Sequence, residues 1–129
     1  MVLTTHTSIG QVREMESLKK PSIRMINLCR CYRRQQDATN TQMFHQFEGL
    51  VIDEGINIQN LKGTLDYFAK EFYGEGTKSR IRPFHFQFTE PSFEVDFSCH
   101  ICKGTGLKDG HKCKFCKSGW HEVGGAGMV

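Results

Sequence analysis

The sequence lacks an apolar run near the ~20 residues that a membrane-spanning helix requires, so no transmembrane segment is predicted. Residues 1–6 have neither a charged n-region nor an apolar h-region, so we predict no secretory signal peptide and expect a cytoplasmic protein. Internal repeats are absent, and a net charge of +3 at pH 7 does not by itself indicate a nucleic-acid partner. The 129 residues, 38% hydrophobic and 24% charged, fit at most one soluble globular domain.

Apolar periodicity predicts an α+β fold, in which an antiparallel sheet is flanked by helices. The first helix is predicted from Ser8 to about Lys19 and ends before Pro21. The second begins at the cap residue Asn57 and ends at Gly74. It is predicted to pack one apolar stripe against the sheet, formed by Ile58, Leu61, Leu65, Phe68 and Phe72. Strands are predicted over residues 22–32, 43–53, 78–82, 93–97 and 120–123. The first two of these strands form a hairpin with a long polar loop.

Two CxxC motifs separated by ten residues predict a zinc site with four thiolate ligands. The predicted ligands are Cys99, Cys102, Cys113 and Cys116. Four thiolates fill the tetrahedral shell, so the metal would be structural and not catalytic. Redox dithiols and free thiols are the alternatives, and residues 99–106 also match the CxxCxGxG repeat of DnaJ-type chaperone zinc domains. Cys29 and Cys31 alternate on one strand and are interpreted as packing residues.

The strand predicted over residues 43–53 carries an unusual face. With a period of two, Phe44, Gln46 and Glu48 point one way, and His45 and Phe47 point the other. An aromatic ring, an amide and a carboxylate do not form a hydrophobic core, but together they can stack a base and hold an amino group. The alternative is a strand whose polar face is simply solvated.

Further candidate binding residues lie near strand and helix ends. Arg30 and Arg33 stand near the end of the first strand, where a guanidinium group suits contact with a phosphate, although exposed strand arginines are common. Phe86 and Phe88 are predicted to share a strand face, either as two walls of an apolar pocket or as ordinary core. Polar residues at the start of the first helix, which bind a ligand or only cap the helix, are His6, Ser8 and Gln11.

Together these segments form an ordered series of blocks. They are Thr5–Gln11, Arg30–Arg33, Met43–Asp53, Asn60–Leu65, Arg82–Asp96 and Gly124–Val129. This series resembles the phenylalanyl-tRNA synthetase alpha-subunit family of class II aminoacyl-tRNA synthetases over essentially the whole chain. Some bacterial members of that family also carry a double CxxC insert before the final block. The sequence departs from the family pattern at Asn40, where a histidine is common.

The resemblance implies a site that joins phenylalanine and ATP, with Mg²⁺, into phenylalanyl adenylate. Arg33 is implied as the catalytic residue that binds the ATP α-phosphate and stabilises charge in the transition state. Phe44 is implied to stack on the adenine. The residues implied to bind phenylalanine are His6, Ser8, Gln11, Gln46, Glu48, Phe86 and Phe88.

The resemblance also implies an organisation and partners. Residues 1–97 would be part of the catalytic core, residues 98–119 the zinc-knuckle insert, and residues 120–129 the start of the next core segment, with the motif 3 block beyond Val129. The implied partners are tRNA(Phe) and a beta subunit in an α2β2 heterotetramer. Two alternatives stay open at this point: a truncated paralogue without catalysis, and a zinc-knuckle binding module.

Overall fold

The computed structural model describes residues 2–19, 22–36, 41–116 and 118–129, so Pro21 and Asn40 lie outside the described residues. The chain forms two compact units, Met1–Ile56 and Asn57–Val129. No helix in the described ranges is long and apolar enough to cross a membrane.

The first unit is a helix packed on a β-hairpin. It contains helix α1 (Ile9–Leu18) and strands β1 (Ile23–Tyr32) and β2 (Met43–Ile52). The strands pair antiparallel, from Ile23 opposite Ile52 to Tyr32 opposite Met43, as the sequence predicts. A Cβ atom at Gly10 would collide with the side chain of Asn27 on β1, so glycine permits the close approach of α1 to the hairpin.

The second unit begins with helix α2 (Ile58–Tyr73), which has the predicted cap. The Asn57 side chain accepts hydrogen bonds from the backbone N–H groups of Gln59 and Asn60, and the Asn60 side chain accepts one from the Asn57 N–H. This reciprocal arrangement is a capping box. The helix ends at Gly74, whose φ of 99° favours glycine.

A three-stranded antiparallel sheet follows α2. The strands of this unit are β3 (Ser79–Phe86), β4 (Thr89–Ser98), β5 (Leu107–Lys108), β6 (His111–Lys112) and β7 (Trp120–Gly127). The sheet order is β3-β4-β7, and β5 pairs with β6 in a separate small hairpin. Strands β3, β4 and β7 are longer than predicted. The glycine-rich end of β7 gave no strand signal, yet it pairs with β4 in register from Ser92 opposite Gly127.

The core of the second unit lies between α2 and β4. Ala69, Val95 and Phe97 are its buried centre, and the Phe68 ring lies 5.9 Å from that of Phe97, centroid to centroid. The apolar stripe predicted for α2 is therefore confirmed at its centre. The prediction is wrong at Phe72, which is 66% exposed and whose ring stacks on that of Phe68 from outside the core.

A buried carboxylate links all three strands of this sheet. Asp96 on β4 is 2% exposed and accepts hydrogen bonds from the guanidinium groups of Arg80 and Arg82 on β3. Arg82 also reaches Glu122 on β7, at 3.4 Å. The hydrogen bonds from Arg82, which outweigh the effect of burial, hold the pKa of Asp96 below its usual range.

We expect Asp96→Asn to lower the free energy of unfolding by about 2–3 kcal/mol at pH 7, because two guanidinium groups lose their charged acceptor. Because the folded state lowers this pKa, the stabilisation is fully present above about pH 4 and is lost as the pH falls through the folded-state pKa. Urea unfolding from pH 2 to 7 should therefore show a flatter acid limb in the variant. Asp53→Asn, which removes an exposed carboxylate paired with Arg24, is the control. Equal losses in both variants would contradict the proposed contribution of Asp96.

Candidate functional site

The face predicted on β2 is present. Phe44, Gln46 and Glu48 are half-buried, whereas His45 and Phe47 on the opposite face are exposed. The half-buried face is thus the one that carries the ring, the amide and the carboxylate. It is not the solvated side of the strand.

Helix α1 and the residues before it place a group of donors around Glu48. Its carboxylate accepts hydrogen bonds from Thr7 Oγ1 at 3.0 Å, from Ser8 Oγ at 2.6 Å and from the side-chain amide of Gln11. The predicted Ser8 cap is wrong: Ser8 occupies the N-cap position, but its hydroxyl donates to Glu48 and accepts no hydrogen bond from the backbone N–H groups of the helix. His6 is exposed and is not among the hydrogen-bond partners of Glu48 in the described part of the chain.

Thr7 also belongs to this cluster, although its place in the sequence did not mark it as a candidate binding residue. It is fully buried, and its backbone carbonyl accepts a hydrogen bond of 2.6 Å from the Asn27 side chain. Its position between the candidate residues His6 and Ser8 was the one sequence feature that could have indicated its place in the cluster. The result is a carboxylate whose position is fixed by several donors, and such a group can accept further hydrogen bonds from a ligand's ammonium group.

The Gln46 side chain is bonded to one of the two cysteines of β1. The Cys31 thiol donates to Gln46 Oε1 at 3.2 Å, and the Cys29 and Cys31 sulfur atoms lie 3.5 Å apart. Burial raises the pKa of the Cys31 thiol, which therefore stays protonated and able to donate at neutral pH. Cys31 is fully buried, in agreement with its interpretation as a packing residue.

Arg33 and Phe44 meet at the loop end of the hairpin. The guanidinium carbon of Arg33 lies 5.0 Å from the centroid of the Phe44 ring, a cation–π geometry. The Arg33 backbone N–H donates to the carbonyl of Gln42 at 2.9 Å. Arg30 instead lies opposite His45 in the strand register, on the other face of the hairpin. The structure therefore brings Arg33, but not Arg30, to the face that carries Glu48.

Three phenylalanines form a row at the end of β3. The ring centroids of Phe84 and Phe86 lie 5.0 Å apart, and those of Phe86 and Phe88 lie 5.8 Å apart in a stacked arrangement. The predicted shared strand face of Phe86 and Phe88 is wrong, because β3 ends at Phe86 and Phe88 lies in the following turn, 70% exposed. Phe84, two residues before Phe86, was missed although it continues the same alternation.

The Phe86 ring rests on the backbone of β7. A Cβ atom at Gly125 would lie 2.6 Å from the end of that ring, so a side chain there would displace it. Glycine at this position therefore sets where the Phe86 ring lies.

The cysteine motifs come together as predicted. The four sulfur atoms lie within 4.8 Å of one another, and they belong to Cys99, Cys102, Cys113 and Cys116. Zinc–sulfur bonds of about 2.3 Å in a tetrahedron place sulfur atoms about 3.8 Å apart, so this arrangement fits the metal. The backbone N–H groups of Gly106 and Gly119 donate to the sulfurs of Cys102 and Cys116, at 3.3 and 3.2 Å.

Comparisons with known proteins agree with this geometry. The whole chain, residues 1–129, matches the family of tRNA synthetases class II core domain (F). The chain therefore belongs to this family, and the predicted fold class is confirmed.

Relatives within the family share a specific name. The chain is 54% identical over 131 residues to the phenylalanine–tRNA ligase alpha subunit of Alkaliphilus metalliredigens, and 53% to that of Caldicellulosiruptor saccharolyticus. It is 50% identical to the alpha subunit of Lawsonia intracellularis. These matches cover 100% of the chain but only 36–37% of each relative. The resemblance drawn from the sequence blocks is confirmed, and the chain spans about a third of the length of these relatives.

Proposed function

We propose that this chain contributes part of the active site of a phenylalanine–tRNA ligase. In the assembled enzyme, phenylalanine and ATP would form phenylalanyl adenylate, and the phenylalanyl group would then pass to tRNA(Phe). The observation that carries the proposal is the polar face of the β1–β2 hairpin. It combines Glu48, fixed by Thr7, Ser8 and Gln11, with the Arg33–Phe44 pair.

In the proposed reaction, the carboxylate of phenylalanine attacks the α-phosphorus of ATP, and pyrophosphate leaves. Arg33 binds the α-phosphate and stabilises the negative charge that develops there. Phe44 stacks on the adenine, and its contact with Arg33 means that one nucleotide can reach both side chains. Mg²⁺ accompanies the ATP phosphates, and we assign no described residue to it.

The polar groups of the same face would orient phenylalanine. The Glu48 carboxylate suits the substrate's ammonium group, since opposite charges with hydrogen bonds give the stronger kind of polar contact. Gln46, oriented by Cys31, would contribute its amide. The polar residues proposed to bind phenylalanine are His6, Ser8, Gln11, Gln46 and Glu48.

The ring of phenylalanine would pack against Phe86 and Phe88. Aromatic pairs favour offset-stacked or edge-to-face contacts, and such pairs contribute roughly 0.5–1.5 kcal/mol beyond the buried area. The row formed by Phe84, Phe86 and Phe88 presents apolar aromatic surface of this kind.

We further propose that the cysteine cluster holds one structural Zn²⁺ ion. The four sulfurs are mutually close, three of the four cysteines are buried, and two backbone N–H groups donate to sulfur. Such a closed site has no open position for water or substrate. Its role would be to hold residues 99–119 in one conformation.

The assembled protein is proposed to work with partners. We propose a beta subunit, in an α2β2 heterotetramer, and tRNA(Phe); the words 'alpha subunit' and 'tRNA ligase' in the relatives' names support a second kind of subunit and a tRNA substrate. The proposed location is the cytoplasm, where unpaired cysteine thiols are the common state.

The test is phenylalanine-dependent pyrophosphate exchange by the assembled ligase, compared with Phe88→Ala. We expect the KM for phenylalanine to rise roughly 3- to 10-fold in the variant, because one ring–ring contact is lost, with the KM for ATP unchanged. Phe88→Ala should also accept larger or para-substituted analogues. Discrimination against tyrosine by the wild-type enzyme should be limited, since an apolar pocket rejects an added hydroxyl only modestly.

The matched control is Phe72→Ala, which truncates an exposed ring elsewhere in the chain, on α2. It should leave the KM values for phenylalanine and ATP unchanged. If Phe88→Ala raised the KM for ATP alone, these aromatics would belong to the nucleotide site. If the wild-type enzyme showed no exchange that depends on phenylalanine, the proposed function itself would fail.

A further inference from the structure

The cysteine-containing insert is basic. Between residues 99 and 119 the sequence has five lysines and one aspartate, a balance of 5 − 1 = +4, compared with +3 for the whole chain. A zinc ion with four thiolates carries a formal charge of 2 − 4 = −2, so the insert stays positive, at 4 − 2 = +2, when the metal is bound. We call the surface formed by residues 99–119 the knuckle patch.

The described lysines of the knuckle patch are exposed and available to a partner. They are Lys103, Lys108, Lys112 and Lys114. None of the four has an ion pair within the described ranges. By contrast, Lys62 and Lys70 on α2 are paired with Asp66 and Glu75. Unpaired lysines keep their full charge for an external anion.

Aromatic rings form a second feature of the insert and its surroundings. Phe115 is 44% exposed, and its ring centroid lies 5.7 Å from that of His100 and 4.6 Å from that of His121. His100 in turn stacks on Tyr73, at 5.4 Å and an interplanar angle of 28°. An exposed ring supported by its neighbours, in the same short insert as unpaired lysines, is a combination that proteins use to bind single-stranded nucleic acid.

Backbone hydrogen bonds hold the knuckle patch in shape. Cys99 N–H donates to the Gly119 carbonyl and Cys113 N–H to the Gly106 carbonyl, both at 2.8 Å. A Cβ atom at Gly119 would strike the Gly104 carbonyl, so the two turns pack backbone to backbone. A preorganised surface loses less conformational entropy when it binds a ligand.

We propose that the knuckle patch binds single-stranded RNA. In this proposal the lysines contact phosphates, and the Phe115 ring stacks on a base. The patch uses none of the residues assigned above to phenylalanine or ATP, so its RNA binding is measurable whether or not the chain supports aminoacylation.

The test uses the whole 129-residue chain, loaded with zinc, and a fluorescein-labelled RNA of mixed sequence and about 16 nucleotides, the upper end of the length that one single-strand-binding domain covers. Fluorescence anisotropy gives Kd between 50 and 300 mM salt. The triple variant Lys108→Gln, Lys112→Gln, Lys114→Gln should bind roughly 10- to 100-fold more weakly at about 0.1 M salt. Its log–log salt slope should fall by about 2, close to 0.7 for each lost phosphate contact.

Phe115→Leu separates stacking from charge. It should weaken binding by about 5-fold or more and leave the salt slope unchanged, because the lysines remain. The charge control is Arg13→Gln, Lys19→Gln, Lys70→Gln, which removes three cations outside the patch. Zinc content and circular dichroism must match the wild type in every variant.

The proposal is overturned if the charge control loses as much affinity as the patch triple variant. It is also overturned if heparin binds as the RNA does while Phe115→Leu has no effect on either, since the patch would then attract any polyanion. Affinity for an acidic peptide with none for RNA would assign the surface to a protein partner and would likewise overturn it.

Discussion

Replacing Arg33 with alanine in the assembled ligase is expected to slow phenylalanine-dependent pyrophosphate exchange by at least about a hundredfold. This is the scale for removing one preorganised charged group from the atoms where negative charge develops. Arg33 directly follows β1; its backbone N–H donates to the Gln42 carbonyl, and its guanidinium carbon lies 5.0 Å from the centroid of the Phe44 ring. Because Arg33 is proposed to act on charge that develops only in the transition state, its loss should reduce kcat more than it raises the KM for phenylalanine.

Arg24→Ala is the matched control for Arg33→Ala. Arg24 is on the same strand, but it forms an exposed ion pair with Asp53 at the opposite end of the hairpin. An exposed pair contributes little to stability, so we expect exchange by this variant to be close to wild type. Equal and mild effects of the two substitutions would remove Arg33 from its proposed role.

Substitution of Cys113 by serine is expected to abolish metal binding. Wild-type protein should hold about one zinc per chain, and the variant fewer than about 0.1 after dialysis against a chelator, because a structural site rarely survives the loss of one of four ligands. The only tryptophan, Trp120, directly follows the insert and lies under the Arg80 guanidinium at 4.3 Å. Its fluorescence should therefore change when residues 99–119 lose their order.

The same substitution at Cys29, a half-buried cysteine outside the cluster, is the control and should leave the zinc content unchanged. Reduced wild-type protein that contains no zinc, with all four clustered thiols open to titration, would contradict the metal assignment. If the variant lost zinc without any change in tryptophan fluorescence, the assignment of a metal site would stand, but its proposed role in ordering residues 99–119 would be excluded.

Local patterns predicted the elements whose signals are local. The alternation along residues 43–53 correctly separated Phe44, Gln46 and Glu48 from the exposed face, because a strand has a strict period of two. The Asn57 cap and the cysteine cluster could also be predicted from the sequence, since a capping box and a metal knuckle each depend on residues at fixed spacing.

Features that depend on tertiary contacts were not predictable in the same way. The Ser8 hydroxyl can either cap its own helix or bond to the carboxylate of Glu48, forty residues away. It bonds to Glu48, and the sequence alone does not show that Glu48 is near. Phe88 fits a strand pattern but falls in a turn, because β3 ends where Phe86 pairs with Thr89. The glycines of β7 are typical of a loop by composition, yet a ring that covers Gly125 makes glycine the residue that fits there.

The Gly125 contact has a consequence for engineering the substrate range of this enzyme family. If Phe86 forms a wall of the amino-acid pocket, the main chain of β7 lies directly behind the ring. Shortening neighbouring side chains would then create no space behind it. A methyl group at position 125 would lie 2.6 Å from the Phe86 ring and would displace it. The position of that wall would then depend on a glycine of β7 that has no side chain of its own. Libraries that vary the proposed pocket should therefore treat position 125 as one that moves Phe86.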